Sequence, residues 1–180
     1  YDGVEIIGSA GYFISTFFVN KTNLRTDEYG GCFPNKIRIA TEIVEGIRKS
    51  VGEDFLIIFR IPAMDMLEGG MSWEEICTLG QALENSGVSI VSTHFSWHES
   101  PVPTIATMVP RAAFTSVTKR LKSFINVPVI TSNRINMPDV AENVLANGDA
   151  DLVSMARPFL ADGKIFEKIK EGREEEINTC

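Results

Sequence analysis

Apolar residues along this chain alternate between short unbroken runs and longer stretches of helical spacing. Residues 2–7 predict a first strand, and residues 8–22 a loop with a short aromatic-rich helix. Over residues 36–51, Ile37, Ala40, Val44, Ile47 and Val51 fall on one helical face. Residues 55–61 form an apolar run broken only by Arg60, as in a strand buried on both faces. Ser72 with Glu75 predicts a capping box for a helix running to about Asn85. A turn at Ser86 and Gly87 leads into a third strand over residues 88–93, then a long loop over 94–110 and a helix over 112–123. Two more strands, residues 127–132 and 151–155, flank a helix over 137–147. Pro138 suits its first turn and Gly148 its end. A charged helix over 164–172 comes last.

Strands alternating with helices predict an α/β fold around a parallel sheet, either doubly wound or a barrel. No Gly-rich dinucleotide turn follows any strand, which favours the barrel. So does the scatter of polar groups over the strand ends: Glu5, Arg60, Thr93 with His94 and His98, Asn133 with Arg134, and Arg157. A complete barrel has eight strands. The expectation is the C-terminal part of a TIM (β/α)8 barrel, with about five of the eight βα units, residues 1–180 forming one partial domain truncated at both ends. Arg134 and Arg157 would then tip neighbouring strands at the same end. There the last two strands of such barrels build a phosphate site from backbone N–H groups and a helix N-terminus. The alternative is two ordinary surface arginines.

Composition narrows the class. With 44% hydrophobic and 23% charged residues among 180, the chain suits a globular domain with a sizeable core. A net charge of −7 argues against a nucleic-acid or anionic-membrane surface. No apolar run is long enough to span a bilayer and no signal peptide is visible, so the expected location is cytoplasmic. Cys32, Cys77 and Cys180 are too far apart for a disulfide framework or a paired metal site within the chain. Nothing in the pattern sets an oligomeric state.

Three positions carry candidate chemistry. His94 and His98, with Glu99, are the histidine cluster. Their spacing would suit a metal on a helix, but Pro101 and Pro103 make a helix improbable there. A histidine in a strand-end loop suits proton donation or polarisation of a carbonyl, and His94, nearer the strand, also has a structural reading. Tyr12 stands among Phe13, Phe17 and Phe18 and reads as core or as an acid over a bound substrate. Arg60, a cation inside an apolar strand, must be paired or serve a ligand; Asp27, Glu5 and Glu68 are possible partners.

Together these stretches resemble the old yellow enzyme family of NADH:flavin oxidoreductases, nearest its bacterial 2,4-dienoyl-CoA reductase branch. The motifs are Tyr1-Asp-Gly-Val-Glu5, Gly11-Tyr12, Asn23-Leu-Arg-Thr-Asp-Glu-Tyr-Gly-Gly31, Trp97-His-Glu99, Pro103-Thr-Ile-Ala106, Thr131-Ser-Asn-Arg-Ile-Asn136, the run from Asp149 to Leu160, and Glu176-Ile-Asn-Thr-Cys180. The resemblance implies an FMN-binding barrel that reduces an activated C=C bond of an enoyl or dienoyl thioester in unsaturated fatty-acid breakdown. It implies Tyr12 as proton donor with His98 in support, Arg60 beside the flavin ring, and Arg134, Ala156 and Arg157 at the FMN phosphate. Lys21 and the loop of His98, Glu99, Ser100 and Pro101 would contact substrate. Cys180 would be the first ligand of a [4Fe–4S] cluster, with FAD and NADPH expected in the full-length protein. Ile7 and Ala10 stand where another branch carries a histidine pair for simple enones, and Lys21 and Pro101 where dienoyl-CoA enzymes carry arginines. The alternatives are another substrate within the family, an enoate or an amine, or a non-catalytic phosphate-binding barrel remnant.

Overall fold

A computed structural model describes residues 1–179. Its sheet has five strands, β1 (Gly3–Ile7), β2 (Leu56–Met64), β3 (Ile90–Phe95), β4 (Val129–Thr131) and β5 (Leu152–Val153). Every neighbouring pair is parallel, and the order across the sheet is the order along the chain. A doubly wound sheet would reverse direction at a switch point. The unreversed order is that of consecutive βα units of a TIM barrel, with β1 and β5 as edge strands among the described residues.

The helices follow from local sequence. α1 (Ser15–Phe18) is a single turn. α2 (Phe33–Val51) begins three residues before the apolar spacing predicts, because Pro34 sits comfortably in a first turn. α3 (Trp73–Asn85) opens with the expected capping box: Glu75 N donates to Ser72 Oγ at 3.2 Å, and Ser72 N donates to Glu75 Oε2 at 2.8 Å. α4 (Thr115–Lys122) and α5 (Pro138–Ala146) are shorter than the sequence suggests. α6 (Arg157–Ala161) starts directly after the tip of β5, where the sequence shows no helical spacing, and α7 (Ile165–Lys170) follows.

The core lies between the sheet and its helices. Ile57, Phe59 and Ile61 of β2, Val91 of β3 and Val129 of β4 are fully covered there, packed with Val44, Leu79, Leu83 and Leu121. Side chains alternate along a strand, so the residues between these point to the other face. That face carries Arg60, with Ile7 and Ser92 beside it in register. It is open: Ile7 is 44% exposed, Leu56 45% and Leu152 43%.

β4 and β5 are only three and two residues long. β4 stops where Asn133 and Arg134 both turn left-handed, at φ 66° and 60°.

Candidate active site

A cleft of about 400 Å³ opens at the C-terminal ends of β2, β3, β4 and β5. Arg60 and His94 reach it from β2 and β3, Arg134 from the tip of β4, and Ala156 and Arg157 from the start of α6. Three guanidinium groups thus line one cleft, and no carboxylate is among its described lining residues. In a chain of net charge −7 this concentrates positive potential where an anionic ligand could use it. Glu5 Oε1 lies 3.2 Å from Arg60 Nε, so the sequence's question about a partner for Arg60 has an answer. The contact is an ion pair by distance only, for Nε is buried and makes no aligned hydrogen bond. Glu5 itself lies within β1 opposite Ile58, not at the strand end where the sequence put it.

The backbone is strained around this cleft. Among the described residues six non-glycines have positive φ, and four of them, Ala10, Ser96, Asn133 and Arg134, line it. Each left-handed residue of this kind costs about 1–2 kcal/mol, and such strain gathers where a site needs a particular backbone shape. It is held here by cross-links between loops. Ser132 Oγ donates to Thr93 O at 2.7 Å. Asn133 Nδ2 donates to Thr104 Oγ1 at 2.8 Å, and that hydroxyl donates to Phe95 O at 3.2 Å. Arg134 Nε donates to Val109 O at 2.8 Å, so one edge of its guanidinium braces the loop after β3. Thr104 falls in the Pro103-Thr-Ile-Ala106 motif, but its bracing role was not read from the sequence, because it exists only where two loops meet.

Tyr12 and His98 come together at the rim. Their rings meet edge to face, centroids 5.0 Å apart, and Tyr12 is 52% exposed. Tyr12 is therefore not a core residue. His98 and Ser100 line the cleft, and Tyr12, outside its described lining, meets it through His98. Glu99 and Pro101 are exposed beside them and outside its described lining, as is Lys21 in the turn after α1. Cys180 lies outside the described residues.

His94 faces the cleft from β3. Burial, then Arg60, then His98 push its pKa down from 6.5 to about 4, so the imidazole facing the cleft is neutral at pH 7. Between pH 6.5 and 4 an unfolded chain binds this proton and the folded one does not, so acidification through that window removes stability. The ring signals of His94 in a nuclear magnetic resonance titration are expected to move near pH 4; a midpoint near 6.5 would contradict the buried, cation-flanked position.

The chain is 41% identical over 180 residues to a metal reductase of Desulforamulus reducens, covering 100% of this chain and 27% of that protein. It is 37% identical over 185 residues to an NADH oxidase of Thermoanaerobacter brockii, covering 100% of this chain and 28% of the relative. The chain thus spans little more than a quarter of the length of these relatives. Among solved structures, a 2-naphthoyl-CoA reductase in complex with 2-naphthoyl-CoA superposes with a TM-score of 0.96 at 36% identity, over 100% of this chain and 28% of that one. A family model described as NADH:flavin oxidoreductase / NADH oxidase matches residues 1–176. With all but the last few residues inside that match, the chain belongs to the NADH:flavin oxidoreductase / NADH oxidase family.

Proposed function

We propose that this chain forms the flavin-facing part of an FMN-dependent oxidoreductase that reduces an activated C=C bond, with a conjugated enoyl or dienoyl thioester as substrate. The observation that carries the reading is the single cleft lined by three guanidinium groups and no carboxylate, with a phenol and an imidazole in contact at its rim. The cleft's chemistry fits FMN. Arg134 and Arg157, with the backbone at Ala156, would hold the phosphate, and Arg60 would lie against the ring and favour negative charge there. FMN, when bound, supplies the hydride. His98 would polarise the thioester carbonyl, and Tyr12 would deliver its proton to the substrate carbon that becomes basic. His94, neutral beside Arg60, can offer or accept a hydrogen bond without adding charge.

The thioester is supported by the likeness to 2-naphthoyl-CoA reductase. The chain would supply five of eight strands of a larger barrel, whose remaining strands would cover the open inner face and the two sheet edges. NADPH as donor, FAD, and a [4Fe–4S] cluster beginning at Cys180 rest on the family resemblance, as does a cytoplasmic location. Among the described residues no helix is long and apolar enough to cross a membrane.

The test is anaerobic. The full-length protein, reduced and loaded with flavin, is mixed with a 2,4-dienoyl-CoA, a free enoate or an amine. Rapid reoxidation by the dienoyl-CoA is expected. Reoxidation by the free enoate alone would remove the thioester, and reduction of oxidised protein by the amine alone would replace the reaction.

A further inference from the structure

The residue after β2 is Asp65, a carboxylate only 4% exposed. Burial of a charge is costly unless its hydrogen bonds are made. Asp65 makes them: Oδ1 accepts from Trp97 Nε1 at 2.7 Å and Oδ2 accepts from Met71 N at 2.9 Å. Burial still holds the Asp65 pKa above its usual value, and these two bonds pull it back. The backbone adds two more ties at the same place. Trp97 N donates to Asp65 O at 3.1 Å, and Ser96 N donates to Met64 O at 2.7 Å. The pairing of β2 with β3 shifts register just before, between Pro62 and Met64, as bulges do where a strand end is re-aimed.

Trp97 is 6% exposed and lies against the first βα turn. A Cβ placed on Gly11 would sit 2.9 Å from Trp97 Cε3, so the indole and that turn are in close contact. On the far side His98 N donates to Ala10 O at 3.4 Å. The indole is thus a wedge, held by Asp65 at its N–H and pressed on Gly11 along its ring. His98 follows Trp97 itself and Tyr12 follows Gly11, and these two rings are the pair that meets edge to face.

We propose that Asp65 is a positioning residue for the Tyr12–His98 pair, acting through Trp97. The proposal rests on the reading of that pair as proton donor and polariser. Asp65 touches neither ring. It supplies two acceptor oxygens to two fixed donors, a match an amide cannot make, because its NH2 would face one of them. With the indole released, the 96–98 segment and the Gly11 turn lose their common support. A displacement on the order of 1 Å can cost roughly 10²-fold in rate.

The test uses the flavin-loaded full-length protein. Asp65→Asn is expected to lower kcat for substrate-driven reoxidation by roughly tenfold or more, with KM and reduction by the donor little changed and Tm lowered by the buried donor left unsatisfied. Trp97→Phe, which removes the N–H and withdraws the outer ring that presses on Gly11, should slow the same half-reaction. In a Tyr12→Phe background, Asp65→Asn should add nothing, since the proton it helps to place is gone. The indole N–H resonance of Trp97 should shift in Asp65→Asn, and this readout stands whether or not the protein turns over substrate. Equal slowing of both half-reactions, or full additivity with Tyr12→Phe, overturns the positioning role. If Tyr12→Phe is slow and Asp65→Asn is not, Asp65 is structural. If Tyr12→Phe is itself silent, the reading of the pair falls and the positioning role with it.

Discussion

Tyr12→Phe in the flavin-loaded full-length protein should leave reduction by the donor intact and slow oxidation by substrate by about 10²–10⁴-fold, the usual worth of general-acid help. The substitution removes one oxygen and one proton and keeps the ring. The edge-to-face contact with His98, at 5.0 Å between centroids, therefore survives. Tyr12 is half exposed at the rim, so losing its hydroxyl leaves no buried group unsatisfied and little reason for a stability change. A loss confined to the oxidative half-reaction is thus a chemical effect. His98→Ala should slow the same half-reaction. Stopped-flow measurement of the two half-reactions decides it, and a fully active Tyr12→Phe protein would remove the phenol from the mechanism.

Arg60→Ala should act on the other side of the cleft and through charge. Arg60 has Glu5 at 3.2 Å, but without an aligned hydrogen bond at Nε, so the pair does not use up the cation. A charge-assisted hydrogen bond from this guanidinium to a bound ring is worth about 1.5–3 kcal/mol. That corresponds to roughly 10–100-fold in flavin affinity. The reduction potential of the bound flavin should also fall, because a cation favours added negative charge beside it. A second consequence is internal. Arg60 is one of the groups that hold the His94 pKa down, so its removal should raise the titration midpoint of His94 from about 4. Unchanged flavin affinity and potential, measured alongside that titration, would leave Arg60 as a partner for Glu5 alone.

The barrel order was legible because it is written locally. Apolar runs, the Ser72–Glu75 cap and Pro138 in a first turn each act over a few residues, and the structure keeps the cap, the proline and a strand at every run. Arg134 and Arg157 were legible as cations just past strand tips, whereas Arg60, expected near the end of its strand, lies mid-strand because β2 runs on to Met64. What the sequence hid is what depends on two distant loops meeting. Asp65 and Trp97 are 32 residues apart, and neither neighbourhood announces a buried carboxylate–indole bond. Lys21, given a substrate role by the family resemblance, sits exposed after α1, outside the described lining of the cleft. β4 and β5 are shorter at both ends than their apolar runs, because pairing with the neighbouring strand stops before the left-handed Asn133 and before α6.

The strand order β1-β2-β3-β4-β5 also bears on how the chain is made. During synthesis the N-terminal part emerges first and can begin to fold before the rest exists. Here each strand after β1 leaves the ribosome to find one pairing partner already complete, the strand made just before it. No strand must wait for a later one to be inserted between it and its neighbour. The cost is a sheet whose newest edge is unpaired at every step, and that moving edge is where a nascent chain of this kind would most need the shelter of a chaperone.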